Sequence, residues 1–219
     1  MSHDHLNLDF RRRERLGFDE AILCEPKSIE QLTAILEQAE ERDIPLLLTR
    51  LAREQFEALS DSFRARIDYD PVSGTGFYGS PEAPRGTPKV AVLTAGTSDA
   101  PAALEAARTL EYYGHASLEV PDVGVAGLWR LLERIDEIQK LPVVIAVAGM
   151  DGALPSVVAG LVPGIVISVP TSTGYGVAAG GETALRSALT SCSPGVVVVN
   201  IDNGYGAACA ALRALRNRG

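Results

Sequence analysis

The sequence is poor in the residues that most often announce a function. Its 219 residues hold three cysteines (Cys24, Cys192, Cys209) and three histidines (His3, His5, His115). Cysteines so widely spaced make neither a disulfide framework nor a zinc cage, and no histidine cluster or Ser-His-Asp order is visible. His3 and His5 read as a mobile tail, and His115 as the start of a strand. Aromatic residues are 5% of the chain, with a single tryptophan, Trp129. No apolar run approaches the roughly 20 residues of a membrane helix. The opening MSHDHLNLDFRRRER lacks the apolar centre of a secretory signal. Positive charge is in the minority: 20 Lys+Arg against 28 Asp+Glu give a net charge of −8. That balance argues against nucleic acid or an anionic membrane as a partner. A cytoplasmic protein with reduced thiols is expected.

What is present is an apolar content of 46%, enough for a real core, and an uneven spread of charge. Residues 1–88 carry 28 charged side chains, while the longer stretch 89–219 carries 20. The second part therefore reads as the buried, sheet-rich half. There, strand-like runs at Val90–Thr94, Ala116–Val120, Val143–Ala148, Ile165–Val169 and Val196–Ile201 alternate with helical patterns. The helices fall at Ala100–Tyr113, Val125–Gln139, Gly152–Leu161, Glu182–Ser191 and Gly206–Arg216. Near-continuous Val/Ile strands between helices predict an α/β fold, a three-layer, doubly wound parallel sheet. The amino-terminal part reads as a smaller α/β domain. Ser28-Ile-Glu-Gln31 is a capping box opening a helix to about Glu41, Pro45–Thr49 a strand, and Leu51–Phe63 a further helix. Pro71–Pro88, rich in Gly and Pro, reads as a linker. The expected division is 1–80, a linker at 81–88, and 89–219.

Ligands of open α/β sheets bind outside the carboxyl ends of the strands, and the loops predicted there share a character. TAGTSD, AGMDG, PTSTGYGVAAGG and DNGYGA are rich in small residues, which let a ligand approach the backbone. The first of them, Gly96-Thr97-Ser98-Asp99, turns straight into a helix, placing backbone N–H groups at the positive end of its dipole. Acids recur along the same rim: Asp99, Asp122, Asp151, Glu182 and Asp202, with Arg130 the nearby cation. Such a rim could hold a metal ion, bind ribose hydroxyls or move protons; the bland alternative is that each acid merely caps a helix. Four small-residue loops on one face suggest a ligand with several phosphate or hydroxyl groups. Full dinucleotide-fingerprint spacing and a Walker lysine are both absent, so neither a Rossmann dehydrogenase nor a P-loop enzyme is expected.

Cys192, in ALTSCSPGVVVVN, sits in a polar loop rather than a packed stripe. A buried structural thiol is the common case. A helix leading back to the last strand should also leave this residue at the rim opposite the ligand loops. A short or bent helix, or a neighbouring subunit, would remove that objection.

Residues from about Lys89 onward resemble the aminoimidazole ribonucleotide carboxylase (PurE) superfamily, whose sheet is flavodoxin-like. The shared motifs are Gly96-Thr97-Ser98-Asp99, the segment Asp122–Arg130, and Val196–Gly206. The purine enzymes' catalytic histidine is missing: that loop reads Ala148-Gly-Met-Asp-Gly-Ala-Leu-Pro155, with Asp151 in its place. The chain is more similar to the LarB branch, the pyridinium-3,5-biscarboxylic acid mononucleotide synthases of nickel-pincer nucleotide biosynthesis. TAGTSD, DVGVAGLWR, AGMDGALPSVVAGLV, VPTSTGYG, Ser191-Cys192 and VVNIDNGYGA carry that likeness. Asp9-x-x-Arg12-x-x-Arg15-x-Gly17-Phe18 and Leu48-Thr-Arg50 extend it to the amino-terminal part. Trp129 stands where histidine is more usual, and Asp151 where glutamate is.

The resemblance implies that nicotinic acid adenine dinucleotide and CO2 are converted to the dicarboxylated pyridinium mononucleotide and AMP. It assigns Cys192 as a nucleophile that adds to the pyridinium ring and makes C5 nucleophilic, with Asp151 as acid/base. Substrate contacts are expected from Gly96, Thr97, Ser98, Asp99, Asp122 and Arg130 on the first two loops. Gly149, Met150, Gly152, Thr171, Ser172, Gly174, Tyr175, Asn203 and Gly204 would complete them. Mg²⁺ is expected for phosphoanhydride hydrolysis, with Asp99 or Asp202 as ligands, and Arg12, Arg15 or Arg50 as further phosphate contacts. A homo-octamer is expected. The other readings are a purine-type carboxylase or mutase acting on an imidazole ribonucleotide, and a non-catalytic nucleotide-binding oligomeric module.

Overall fold

Every residue of Val143–Ala148 is buried, the mark of a strand covered on both faces. The computed structural model describes residues 8–9, 11–79, 81 and 83–216; His3 and His5 lie outside them. The chain forms two units, Met1–Glu82 and Ala83–Gly219.

The amino-terminal unit runs α1 (Arg12–Leu16), β1 (Ile22–Leu23), α2 (Ile29–Glu41), β2 (Leu46–Thr49), α3 (Arg53–Ala58), α4 (Asp61–Arg64), β3 (Ile67–Asp70) and β4 (Thr75–Tyr78). Its sheet order is β1-β2-β4-β3, with β1 parallel to β2 and the remaining pairs antiparallel. The capping box forms as expected: Ser28 Oγ accepts the Gln31 N–H at 3.3 Å, and Gln31 Oε1 accepts the Ser28 N–H at 3.0 Å. Two expectations are corrected. Leu51–Phe63 is not one helix, because the backbone is extended at Leu59 and Ser60; the break brings both Leu59 and Phe63 into the same core. Nor is Pro71–Pro88 a linker throughout, since it contains the fully buried β4 and the start of the next strand. Its glycines serve the sheet. A Cβ on Gly76 would stand 2.8 Å from Ile67 Cγ2, and Gly74 turns at φ +61°.

Cys24 is fully buried in this core, and burial pushes its thiol up to about 12 from an ordinary 9.0. The folded chain thus holds this proton more tightly than the unfolded one. The resulting stabilisation is complete below pH 9 and fades as pH climbs towards about 12. Unfolding free energy above pH 9 should therefore fall more steeply, by about 1.4 kcal/mol per pH unit, than in Cys24→Ala. Urea titrations across a pH series check this, and parallel slopes would contradict it.

The carboxyl-terminal unit runs β5 (Arg85–Thr94), α5 (Ala100–Tyr112), β6 (His115–Val120), α6 (Leu128–Ile138), β7 (Val143–Ala148), α7 (Ala153–Ala159), β8 (Ile165–Pro170), α8 (Glu182–Leu189), β9 (Val196–Val198) and α9 (Gly204–Arg216). All five strands are parallel in the order β6-β5-β7-β8-β9, the flavodoxin-like arrangement. Ala91, Leu93, Val144 and Ala146 on one face pack against Leu131 and Ile138 of α6 and Leu154 and Val158 of α7; α5 and α9 cover the other. The last strand is shorter than expected. Past Val198 the Asp202 N–H turns to Pro170 O and the Asn200 side chain takes the Ile201 N–H, so the chain leaves the ladder. The order reverses between β5 and β7, which puts the ligand crevice beside the loops that follow those two strands.

Candidate functional site

The loops at the carboxyl ends of the strands are stitched into one rim. Asp99 is at its centre and is 3% exposed. Its Oδ2 accepts the Gly96 N–H at 2.9 Å and its Oδ1 accepts the Thr171 hydroxyl at 2.6 Å. Both oxygens thus fasten loops, while Thr97 and Ser98 stay exposed on the turn. Thr173 continues the seam: its hydroxyl donates to Ser98 O at 3.2 Å, and its carbonyl accepts the Met150 N–H at 2.8 Å. Gly149 makes this approach possible. A Cβ there would stand 2.3 Å from Thr173 O and 2.6 Å from Thr171 Oγ1. Beyond it Met150 and Gly152 take positive φ, at 55° and 65°.

Further along, the Asp202 Oδ1 accepts the Ser172 N–H at 2.8 Å, joining the loops after β8 and β9. On the other side, Thr94 Oγ1 accepts the Asp122 N–H at 2.9 Å, and the Asp122 carboxylate pairs with Arg130. The Arg130 Nε is buried without a hydrogen-bond partner. It lies over Gly127, where a Cβ would be 2.8 Å away. This half-buried arginine is folded back onto its own helix start, which fixes it on the rim.

Other candidates have different work or stand apart. Asn203 Oδ1 accepts the Gly206 N–H at 2.8 Å, and Gly204 lets α9 touch α5, a Cβ there standing 2.1 Å from Ala102 O. These two residues start a helix. Gly174 and Tyr175 belong to the loop after β8, and Tyr175 is 77% exposed. Asp151 is exposed, and its Oδ1 accepts the N–H of Ala153, the first residue of α7, at 3.2 Å. His115, the histidine among the described residues, opens β6 at the opposite rim, where burial and then Lys89 and Arg216 hold its pKa below the ordinary value. In the amino-terminal unit Arg15 pairs with Asp9 and Arg50 with Glu25, while Arg12 Nε is buried without a hydrogen-bond partner. Among the described residues no three His, Cys, Asp or Glu converge as a metal cage, and the Asp99 oxygens already have donors. The residues present do not fit a resident Mg²⁺.

Cys192 is exposed, Cys24 buried and Cys209 half-buried. Helix α8 has eight residues, and the loop after it lies beside α7. Ser191 Oγ hydrogen-bonds Ser156 Oγ at 2.7 Å, and the Ser193 hydroxyl donates to Ser156 O at 2.8 Å. Ser156 is the fourth residue of α7, the helix that begins two residues after Asp151. Four residues after Cys192 the chain enters β9 at Val196, opposite Val166 near the amino end of β8. A neighbouring subunit therefore remains the condition under which Cys192 joins the ligand loops. Thr94, Thr173 and Ser156 were not singled out in the sequence. Thr94, the lone polar residue ending an apolar strand, was the findable one.

Residues 89–218, containing all of β6 to β9 and most of β5, match the family model for AIR carboxylase, and residues 2–79 match that for the LarB/PurE-like N-terminal domain. The chain belongs to the LarB family within the PurE superfamily. An uncharacterized protein of Methanocaldococcus jannaschii is 40% identical over 214 residues, covering 93% of this chain and 81% of the relative. The LarB-family chain thus carries the domains of a carboxylase, an enzyme rather than a passive module. Among its described residues no helix is long and apolar enough to cross a membrane.

Proposed function

We propose that this LarB-family enzyme carboxylates the pyridinium ring of nicotinic acid adenine dinucleotide at C5 and hydrolyses its phosphoanhydride. The products are pyridinium-3,5-biscarboxylic acid mononucleotide and AMP, made in the cytoplasm for nickel-pincer nucleotide synthesis. The observation that carries this reading is Cys192, exposed on a loop bonded to α7, the helix whose first N–H the Asp151 carboxylate accepts. A pyridinium ring is electrophilic and does not attack CO2. Addition of the Cys192 thiolate forms a C–S bond and moves ring electrons onto nitrogen, leaving a neutral dienamine whose C5 is nucleophilic. C5 then bonds to CO2, a base removes the C5 proton, and the thiolate leaves as the aromatic cation re-forms. Asp151 is assigned as that base. It stands in the loop where the purine enzymes carry their histidine, and bound substrate would exclude water from it.

The stitched rim supports the binding half of the reading. The hydroxyls of Thr97, Ser98 and Ser172 and the backbone of Gly174 offer partners to phosphate and ribose, while Gly96 lets the ligand approach the loop, and Arg130 offers the cation. Mg²⁺ enters only as an ion carried by the pyrophosphate. The apolar side chains Leu128, Trp129 and Leu132 on α6, and Val177, are exposed. They support a homo-oligomer, for which the family resemblance gives an octamer.

The test is an incubation of the purified chain with nicotinic acid adenine dinucleotide, bicarbonate and Mg²⁺. AMP and the dicarboxylated mononucleotide are expected in equal amounts. AMP without ring carboxylation, or carboxylation of an imidazole ribonucleotide in its place, would overturn the proposal.

A further inference from the structure

We propose that Ser156 is a positioning residue that fixes where the sulfur of Cys192 stands. The inference rests on the reading of Cys192 as nucleophile and adds a residue to it. Ser156 Oγ shares a 2.7 Å hydrogen bond with Ser191 Oγ, and Ser156 O accepts the Ser193 hydroxyl at 2.8 Å. The Ser193 N–H in turn donates to Ser191 Oγ at 3.2 Å. Both neighbours of Cys192 are therefore bonded to one residue and to each other, with Cys192 at the apex of the ring. Pro194 fixes the next φ, and Gly195, at φ +84°, turns the chain into β9.

This clamp is separate from the packing that holds α7. The helix buries Leu154, Pro155 and Val158, whereas the three serines are each partly exposed. An exposed loop residue otherwise samples many positions. Three hydrogen bonds through its neighbours remove that freedom while leaving the side chain open to a ring. Because the Asp151 carboxylate accepts the N–H of Ala153, the first residue of the same seven-residue helix, Ser156 also ties the nucleophile loop to the helix that follows the base.

The experiment compares Ser156→Ala, Ser191→Ala, the double variant and Ser156→Thr in carboxylation kinetics and in alkylation of Cys192 by iodoacetamide. Ser156→Ala should lower kcat about 10- to 100-fold, as a displaced reacting group does, with KM within about twofold. The Cys192 alkylation rate should shift in the same variant, and Ser156→Thr, which keeps the hydroxyl, should restore both. The double variant should be no worse than the poorer single one, because the two serines make one bond. Wild-type kcat in Ser156→Ala, a loss confined to KM, or additive losses would each overturn the clamp. Should Ser156→Ala not fold, Ser191→Ala removes the same bond from the loop side and is judged by the same kcat and KM. Cys192→Ala separates the two claims: its full turnover defeats the nucleophile, whereas an inactive Cys192→Ala beside a wild-type Ser156→Ala defeats only the clamp.

Discussion

Cys192→Ala is expected to abolish ring carboxylation, with a loss of at least about a thousandfold, the order seen when a covalent nucleophile is removed. The fold should be untouched. Cys192 is exposed and packs in neither hydrophobic core, so its truncation opens no cavity. Melting temperature and dinucleotide binding should match the parent chain. That separation, full binding with no carboxylation, is what a group acting on the ring rather than on the phosphates produces. Cys24→Ala and Cys209→Ala are the internal controls and should retain turnover. Chromatographic quantification of the dicarboxylated mononucleotide checks all three, and full turnover by Cys192→Ala would reject the assignment.

Gly149→Ala should damage both stability and turnover. The added methyl would lie 2.3 Å from Thr173 O and 2.6 Å from Thr171 Oγ1. Those atoms take the Met150 N–H and hold the Asp99 carboxylate, so three loops must separate to admit it. Overpacking of this kind costs about 1–3 kcal/mol. Displacement of the loop carrying Ser98 by an ångström would lower kcat/KM about a hundredfold. Gly160→Ala provides the contrast. Gly160 has an ordinary helical backbone, and its Cβ would come no nearer than 3.4 Å to a neighbour; a change within about 0.5 kcal/mol is expected. Calorimetry and steady-state kinetics on the pair decide the matter. Wild-type behaviour of Gly149→Ala would mean that these loops are not held against one another.

The contrast between the two units shows what a sequence makes legible. Three strands of the parallel sheet, β6, β7 and β8, could be read to within a residue, because a strand buried on both faces is a continuous apolar run with helices to either side. β5 starts earlier and β9 ends sooner than their apolar runs. β4 could not: its four residues include Gly76, placed to make room for Ile67, and a stretch rich in both glycine and proline looks like a linker. The break at Leu59 was equally hidden, since nothing local forbids a helix there and the gain lies in the distant core. At the rim, the loop residues were recognisable as a set, but their division of labour was not. Asp99 looks like an outward carboxylate in sequence. Its burial and its bond to Thr171, 72 residues away, depend on two strands that are not neighbours along the chain. The same holds for Ser156 and Ser191, whose contact no motif announces.

The central claim is that the Cys192 sulfur adds to the pyridinium ring and turns its C5 into a carbon nucleophile. Without CO2, such a ring should take a deuteron at C5 from heavy water and release it again. Proton NMR of nicotinic acid adenine dinucleotide incubated with the enzyme in bicarbonate-free D2O follows this exchange directly. The account predicts loss of the C5 proton signal with the wild-type chain and none with Cys192→Ala; equal exchange in the two, or none with the active wild-type chain, would contradict it.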